Sequence, residues 1–585
     1  MGGIPAAGRF PNPSPIGAFV LSATPRPCHA SALALLLLLP ACGPRATEGT
    51  GTPAPAATSA DISPGELRAR LEAYAHDSML GRRSGEPGGI KATDYLAAEA
   101  RRLGLEPAGE NGTYFQTLPM VLRHLAPDAR IDAGGTSFRA WDDFIPRDQG
   151  KGARLIDGRP SVYGGRWTER GESLIPAADA AGRVVVITVA PAANGTPAGT
   201  VNRAVTTARF AQAAGIVVVT LDAMGQSDRF DIREPAAQLV TDRPAPETPA
   251  FLYATTRLAE AILGAPLEGM AAGTPGDTVR GRVPFVDTPA PHPARNVVAR
   301  LPGSDPALRG ELVAIGAHHD HEGISPLPED HDSLRTFNRV MRPEGANSTA
   351  GKPTPEQAAR IRRELDSLRR LRPARVDSVL NGADDDGSGT VAVLEIAERL
   401  ARGPVKPRRS VLFVWHAAEE LSLLGSDWFT REPTVPRDSI VAQLNIDMIG
   451  RGMAGDLAGG GPGYLQLIGS RRLSTELGDL VERVNREGGH GFRFDYSYDA
   501  DGHPSNFYCR SDHANYARYG IPVTFFSTGS HRDYHQLTDE AQYISYDKLA
   551  SVTRLIADVT MAVADLDHRP VVDKPKPDPG APCRQ

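Results

Sequence analysis

The fold is decided by Glu311-Leu-Val-Ala-Ile-Gly-Ala-His318-His319-Asp320-His321. Four apolar residues and a small pair run into a polar cluster, a pattern typical of a buried parallel strand that ends at a site. Similar runs predict three more strands, and helical stretches alternate with them. The four strands are expected at 312–316, 411–415, 441–446 and 522–526. This order predicts an α/β fold with a mixed, mainly parallel sheet sandwiched by helices, whose strands all present side chains at their C-terminal ends.

The polar cluster after the first strand contains the first candidate ligand. His318 is the residue we expect to bind a metal, and Asp320 is placed to accept a hydrogen bond from its other ring nitrogen. His319 and His321 are interpreted as neighbours of the ligand. A solvated loop is the alternative for this stretch alone.

An acidic run, Asp384-Asp385-Asp386, precedes a predicted helix for which Ser388 stands at the N-cap position. Three adjacent carboxylates repel one another, and a cation would relieve that repulsion. A solvated turn is the alternative. A calcium-binding loop is not indicated, because the distal glutamate of that pattern is missing.

Carboxylates also follow the second and third strands. Glu419 and Glu420 leave the same strand end, so one can hold a metal while the other takes a proton from water. The alternative is the acidic first turn of a helix. Asp447 lies in a stretch too apolar to leave a charge unpaired, and it needs either a metal or an arginine partner.

The fourth strand leads to Tyr534 and His535. We expect His535 to be the last ligand, with His531 as its competitor, and Tyr534 to donate a hydrogen bond to a developing oxyanion. Together these residue types indicate a two-zinc hydrolytic centre, since zinc prefers imidazole and carboxylate ligands and a carboxylate can bridge two ions.

Two further motifs indicate neither a serine hydrolase nor a nucleotide-binding protein. Ser511-Asp512-His513 is not interpreted as a serine triad, because consecutive residues cannot form one relay and no G-x-S-x-G elbow surrounds them. The glycine-rich run at 459–463 lacks the Lys-Ser/Thr of a phosphate-binding loop, so nucleotide binding has no support.

In this order the motifs resemble the co-catalytic dinuclear-zinc exopeptidase family, which includes secreted bacterial aminopeptidases, plasma glutamate carboxypeptidase and glutamate carboxypeptidase II. The stretch Asp385-Asp-Gly-Ser-Gly389 matches a family motif, and 81–109 resembles the family's opening helices. The resemblance implies that His318 and Asp447 bind one zinc, that Glu420 and His535 bind the other, and that Asp385 bridges two Zn²⁺ ions. It also implies a cis peptide between Asp385 and Asp386.

By the same resemblance, Glu419 is the general base of a peptide-hydrolysing exopeptidase, expected to be an aminopeptidase acting on a peptide substrate. A carboxypeptidase or dipeptidase of the same fold, a glutaminyl-cyclase-like acyltransferase with one zinc, and a non-catalytic receptor-like scaffold are the alternatives. One feature departs from the family. Residues 322–381 form a longer link than relatives need, and its stretch at 355–371 is predicted to be an amphipathic helix that packs locally rather than forming a lid.

The chain is divided by composition into six predicted regions. Residues 1–42 resemble a signal peptide with a lipobox ending at Cys42, and 43–61 are typical of a flexible linker. The expected location is therefore the bacterial cell envelope, through a lipid anchor, or the exterior. The remaining regions are a first segment of the catalytic domain (62–150), an insert resembling a protease-associated domain (151–285), a second segment of the catalytic domain (286–567) and a C-terminal tail (568–585).

The 585 residues are 41% hydrophobic and 23% charged, which allows large cores and more than one domain. A net charge of −6 indicates neither a nucleic-acid-binding protein nor one that binds anionic membranes. Four cysteines, two of them in the predicted signal segment, are too few for a disulfide scaffold. The oligomeric state is left open.

Overall fold

The computed structural model describes residues 59–147, 154–168, 173–190, 201, 203–224, 235–240, 248–348 and 350–585. The predicted signal peptide and most of the predicted linker lie outside these residues. Within them, twenty-three strands are found: β1 (Glu106–Pro107), β2 (Phe115–Thr117), β3 (Met120–Leu125), β4 (Arg130–Ala133), β5 (Thr136–Arg139), β6 (Phe144–Arg147), β7 (Arg159–Trp167), β8 (Ser173–Leu174), β9 (Val184–Val189), β10 (Gly215–Val219), β11 (Ala236–Leu239), β12 (Ala250–Ala254), β13 (Pro275–Arg282), β14 (Phe285–Pro289), β15 (Arg295–Leu301), β16 (Leu312–His318), β17 (Gly323–Asp330), β18 (Val376–Leu380), β19 (Ser410–His416), β20 (Ile440–Ile446), β21 (Tyr464–Ile468), β22 (Arg493–Asp495) and β23 (Val523–Ser527).

The same residues form eleven α-helices: α1 (Pro64–Tyr74), α2 (Pro87–Arg102), α3 (Arg203–Arg209), α4 (Thr256–Leu263), α5 (His331–Met341), α6 (Pro355–Leu371), α7 (Gly389–Arg402), α8 (Leu424–Arg431), α9 (Thr475–Glu487), α10 (His513–Ala517) and α11 (Tyr546–Ala564). No helix among the described residues is long and apolar enough to cross a bilayer.

The main sheet has the order β1-β15-β19-β16-β20-β23-β21-β22, with β2 on β15. Alternate residues of β16 face opposite sides, as strand geometry requires. Val313 and Ile315 join a core shared with α1, α7 and α11. Leu312 and Ala314 join a second core on the other face, with α10. The sheet is therefore covered by helices on both faces, and the predicted α/β fold with a mixed sheet is confirmed.

The four strands predicted to carry the site are neighbours at the centre of this sheet. β16 pairs in parallel with both β19 and β20, and β20 pairs in parallel with β23. Their C-terminal ends consequently lie at one edge. The antiparallel neighbours β15 and β21 flank this group and make the sheet mixed.

A second sheet has the order β5-β4-β13-β7-β9-β10-β12-β6, with β8 on β7, and has cores of its own. It includes β4, β5 and β6, all of which precede residue 151. The predicted boundary of the insert is therefore later in the chain than the start of this sheet, because these strands are only four residues long and lack the continuous apolar run seen in β9 and β10. A third sheet, β11-β3-β14, is separate from both.

Three other predictions can be compared with the structure. Ser388 directly precedes α7, but its hydroxyl donates to the Asp384 carbonyl and does not cap the helix. The predicted helix at 355–371 is α6, which begins and ends as predicted and packs against α5. The tail beyond residue 567 contains no helix or strand and is joined to the body of the protein by a Cys509–Cys583 disulfide that composition did not predict.

Candidate metal centre

The predicted ligands converge at the C-terminal edge of the main sheet. His318 is the last residue of β16, Glu419 and Glu420 follow β19, and Asp447 follows β20. Asp385 comes from the turn before α7. His535 comes from the loop that follows β23. All of these residues are buried or nearly so, as expected for groups at the centre of an open α/β sheet.

Asp385 lies between two imidazoles. Its Oδ1 is 3.1 Å from Nε2 of His318, and its Oδ2 is 2.9 Å from Nε2 of His535. The two oxygens of the Asp385 carboxylate therefore face two different imidazole rings. This is the arrangement that a bridging ligand between two cations requires.

A second carboxylate, that of Asp447, lies near the imidazole of His318. Asp447 Oδ1 lies 3.7 Å from Nε2 of His318, and Asp447 Oδ2 accepts a 2.7 Å hydrogen bond from the hydroxyl of Ser511. The ligand atoms of His318, Asp385 and Asp447 all lie within 4.8 Å of one another. Ser511 was not predicted, and it fixes the orientation of Asp447.

The second imidazole has a different set of neighbours. Glu420 Oε2 is 3.0 Å from Nε2 of His535. Glu420 Oε1 pairs with Nδ1 of His321 at 2.7 Å, and Oε1 of Glu322 is 3.4 Å from Nδ1 of His535. His535, rather than its predicted competitor His531, lies with this group, because His531 pairs with Asp384 at 3.1 Å. His321 was predicted to be a neighbour of the ligands, whereas the closeness of Glu322 was not predicted.

Asp320 contacts His318 through an unexpected atom. The main-chain carbonyl of Asp320 lies 3.1 Å from Nδ1 of His318, whereas its carboxylate oxygen Oδ1 is 3.8 Å from the same nitrogen. That carboxylate accepts a hydrogen bond from the Glu419 N–H at 3.1 Å. Because Asp320 is only two residues beyond His318, its main-chain carbonyl faces the His318 ring, while its carboxylate reaches the end of the neighbouring strand β19. Asp320 thus contacts both the candidate ligand and the candidate base.

The acidic turn is held by main-chain hydrogen bonds. Asp386 accepts from the N–H groups of His318, Gly389 and Met448. Asp539 accepts from the N–H groups of Asp384 and Asp385. The peptide between Asp385 and Asp386 is cis, as the resemblance implied. These bonds leave the Asp385 carboxylate directed toward the two imidazoles.

The centre carries an excess of negative charge. Burial alone lowers the pKa of His318, but Glu419 and the other carboxylates raise it well above its usual range. The pKa of His535 is raised in the same way, chiefly by Glu420 against the effect of burial. Burial raises the pKa of Glu419, and Glu420 and Asp447 add to that effect while His318 opposes it. The carboxylates therefore favour cations here.

The donor set fits zinc. It offers imidazole nitrogens and carboxylate oxygens, which are zinc ligands of the required type, and the two oxygens of the buried Asp385 lie 3.1 and 2.9 Å from two different imidazole nitrogens. No thiolate lies among the ligand groups that the described residues form.

A pocket opens onto this centre. Its wall includes the candidate base Glu419, Tyr534 and the cation of Arg510, with apolar surface from Met448 and Phe525. Nη2 of Arg510 donates a 2.8 Å hydrogen bond to the phenol oxygen of Tyr534. Burial raises the pKa of Tyr534, so the phenol stays protonated.

Ser511, Asp512 and His513 do not form a hydrogen-bonded relay, as expected from the sequence. Ser511 pairs with Asp447, Asp512 Oδ2 lies 3.3 Å from Nδ1 of His416, and the His513 ring stacks on Phe525. The three side chains point to three different partners.

Residues 296–560 match the family model described as Peptidase family M28. The chain is 32% identical over 172 residues to leupeptin-inactivating enzyme 1 of Streptomyces exfoliatus, covering 29% of this chain and 34% of that protein. It is 29% identical over 211 residues to aminopeptidase Y of Saccharomyces cerevisiae, covering 33% of this chain and 35% of that protein. The matched stretch therefore spans about a third of the length of each relative.

Among solved structures, the chain is similar to the aminopeptidase from Aneurinibacillus sp. strain AM-1. The TM-score is 0.47 at 16% identity, and the alignment covers 88% of this chain and 97% of that chain.

Proposed function

We propose, from the match of residues 296–560 to the Peptidase family M28 model, that the protein is a zinc-dependent exopeptidase that removes residues from the amino end of peptides. The observation that carries the proposal is the position of Asp385 between His318 and His535, each accompanied by a further carboxylate. The name of one relative, aminopeptidase Y, supports attack at the amino end.

The proposed sites take two Zn²⁺ per chain. His318 and Asp447 would hold one ion, Glu420 and His535 the other, and Asp385 would bridge them. When bound, the ions would supply Lewis-acid polarisation of the scissile carbonyl and acidification of water. The protein itself supplies the fixed geometry through Asp386, Asp539 and Ser511.

Glu419 is proposed as the general base. Its carboxylate lies 3.9 Å from Nε2 of His318, and its main chain is held by Asp320. As the oxygen of a water molecule forms a bond to the carbonyl carbon, Glu419 accepts a proton from that water. When the C–N bond breaks, Glu419 returns the proton to the leaving amine.

Tyr534 is proposed to stabilise the charge that develops on the carbonyl oxygen. Because its phenol oxygen already accepts a hydrogen bond from Arg510, its own proton is available to an acceptor in the pocket. A donor fixed in this way stabilises the tetrahedral oxyanion more than the planar carbonyl.

A carboxypeptidase is the second candidate, because one observation favours it. Arg510 places a guanidinium in the pocket wall, where it would attract the terminal carboxylate of a peptide. The name of the relative aminopeptidase Y makes the aminopeptidase the better proposal.

The test uses purified protein with free-ended, N-acetylated and C-amidated peptides, with and without a zinc chelator. We expect release of amino-terminal residues from the free-ended and C-amidated peptides, loss of activity with chelator, restoration by zinc, and two zinc ions per chain. Cleavage of the N-acetylated but not the C-amidated peptide would identify a carboxypeptidase. One zinc with cyclisation of amino-terminal glutamine would identify an acyltransferase, and no turnover by the zinc-loaded protein would identify a scaffold.

A further inference from the structure

Residues 322–381, the long link that the family resemblance left without a role, begin and end at the metal centre. Glu322 follows directly after the His318–His321 cluster, and β18 ends at Leu380, just before the acidic turn that carries Asp385. Between them the chain forms β17, α5, α6 and β18, with β17 and β18 paired antiparallel. Residues 322–381, called the excursion below, therefore leave the metal centre and return to it, and both of their ends lie beside the candidate ligands.

The excursion contacts the loop at 530–536, which carries Tyr534 and His535, at several points. The Nδ2 atom of Asn338 donates to Gln536 at 3.0 Å, and the Nδ2 atom of Asn347 donates to the Ser530 hydroxyl at 2.7 Å. Arg335 pairs with Asp533 at 3.3 Å.

The main chain of the same loop is held as well. The N–H of Ala346 donates to the Tyr534 carbonyl at 3.0 Å, and Ala346 packs with Tyr534 and Met448 in a small buried apolar cluster. Gly345 makes this approach possible. A Cβ at Gly345, where φ is 55°, would lie 2.4 Å from the carbonyl oxygen of Tyr534.

Glu322 brings the excursion to the candidate ligand itself. Its Oε1 lies 3.4 Å from Nδ1 of His535, and no other residue that the structure describes forms a hydrogen bond with this buried nitrogen. The opposite nitrogen, Nε2, is the one directed at Asp385 and Glu420. A histidine that binds a metal through one nitrogen needs an acceptor at the other, which selects the tautomer and fixes the ring.

We infer that residues 322–381 act as a positioning segment for the second zinc site, in which Glu322 orients the imidazole of His535 and the excursion holds the loop that carries Tyr534. This inference rests on the proposed function. Glu322 acts through His535 and is a positioning residue.

The experiment compares Glu322→Ala and Glu322→Gln with wild type. The matched control is Glu364→Ala, which removes a carboxylate of the same segment whose ion pairs are with Arg339 and Arg360. For each protein, bound zinc is counted after dialysis, zinc affinity is measured by titration against a competing chelator, and kcat and KM are determined. Thermal unfolding of the metal-free proteins reports whether folding is intact.

We expect Glu322→Ala to lower the affinity for one of the two ions about 10- to 100-fold while the other ion is retained. Its kcat falls and its KM changes little, and the metal-free Tm stays at the wild-type value. Glu322→Gln keeps an oxygen acceptor and holds zinc within a few-fold of wild type. Glu364→Ala matches wild type throughout.

Unchanged zinc affinity and kcat in Glu322→Ala would overturn the inference, as would a loss in Glu322→Gln equal to that in Glu322→Ala, which would make Glu322 a ligand. A second variant, Asn347→Ala, removes one contact at the less buried rim of the segment. It is expected to lower kcat several-fold without loss of zinc, and wild-type kcat would contradict the holding role. If wild type itself binds no zinc, the proposed function fails, whereas the outcomes above concern this segment alone.

Discussion

The guanidinium of Arg510 donates a hydrogen bond from Nη2 to the phenol oxygen of Tyr534 across 2.8 Å. Two residues separated by 24 positions in the chain thereby form one unit in the pocket wall. The direction of the bond matters, because a phenol that accepts at its oxygen keeps its own proton for another acceptor.

The first prediction concerns this unit. Tyr534→Phe removes the hydroxyl and keeps the ring, so kcat is expected to fall by about 10² to 10³ with little change in KM or in bound zinc. Tyr519→Phe, which alters a tyrosine stacked under Arg437, is the matched control. Steady-state kinetics on one peptide measures both variants, and wild-type kcat in Tyr534→Phe would remove this residue from the mechanism.

The second prediction separates the two adjacent glutamates. Glu419→Gln keeps the size of the side chain but cannot accept a proton, and we expect turnover to fall by about 10² to 10⁴ while both zinc ions remain bound. Metal analysis and peptide hydrolysis are measured on the same sample. Glu432→Gln, at an exposed position, serves as the control. Full hydrolysis by Glu419→Gln would refute the assignment of the base.

The third prediction concerns the metal. His535→Ala removes the imidazole that faces Asp385 and Glu420, so we expect the chain to retain about one zinc and to lose activity. His568→Ala removes an exposed histidine that pairs with Glu476 and should leave both ions in place. Two tightly bound ions in dialysed His535→Ala would contradict the proposed ligand set.

The strands that carry the site were predictable because β16 and β19 contain uninterrupted apolar runs and β20 and β23 are mostly apolar. β16, β19, β20 and β23 all end at one sheet edge, as their parallel pairing requires. His318 ends β16, and Glu419, Glu420 and Asp447 follow soon after β19 and β20, whereas Asp385 and His535 come from loops. A strong local signal and a general rule of sheet topology therefore agreed.

Other features depend on contacts between distant residues and carried no local signal. Glu322 approaches His535 although the two residues are far apart in the chain. Asp320 contacts His318 through a carbonyl, which a side-chain pattern does not reveal. The disulfide joins Cys509 to Cys583, and no sequence spacing distinguishes such a pair from two free thiols. Short strands such as β4 and β5 lack the apolar runs that would assign them to the second sheet.

The fourth prediction concerns that disulfide. It closes a loop of about 74 residues and ties the tail to Cys509, which lines the pocket. Cys583→Ser is expected to lower the free energy of unfolding by about 4 kcal/mol on the chain-entropy account. Reductant should lower the Tm of the wild type and leave that of Cys583→Ser unchanged. A wild-type Tm that is insensitive to reductant under unfolding conditions would contradict a stabilising bond.

The fifth prediction concerns Glu395, a buried residue of α7 that pairs with Arg70 at 2.6 Å. Burial raises the pKa of Glu395 from 4.5 to about 7, although Arg70 opposes the shift. Since the folded pKa lies above the unfolded value, the folded state binds the proton more tightly. The stabilising contribution of that proton is fully present below about pH 4.5 and is lost as the pH rises through about 7.

Glu395→Gln places a neutral group of similar shape beside Arg70, which keeps Glu99 and Glu398 as partners. Relative to wild type, the free energy of unfolding of this variant should therefore rise between pH 5 and pH 8, by about 3 kcal/mol at most. Urea unfolding at several pH values measures the difference, with the exposed Glu86→Gln as the control. A difference between Glu395→Gln and wild type that stays constant with pH would show that Glu395 is charged throughout this range, with Arg70 outweighing the effect of burial.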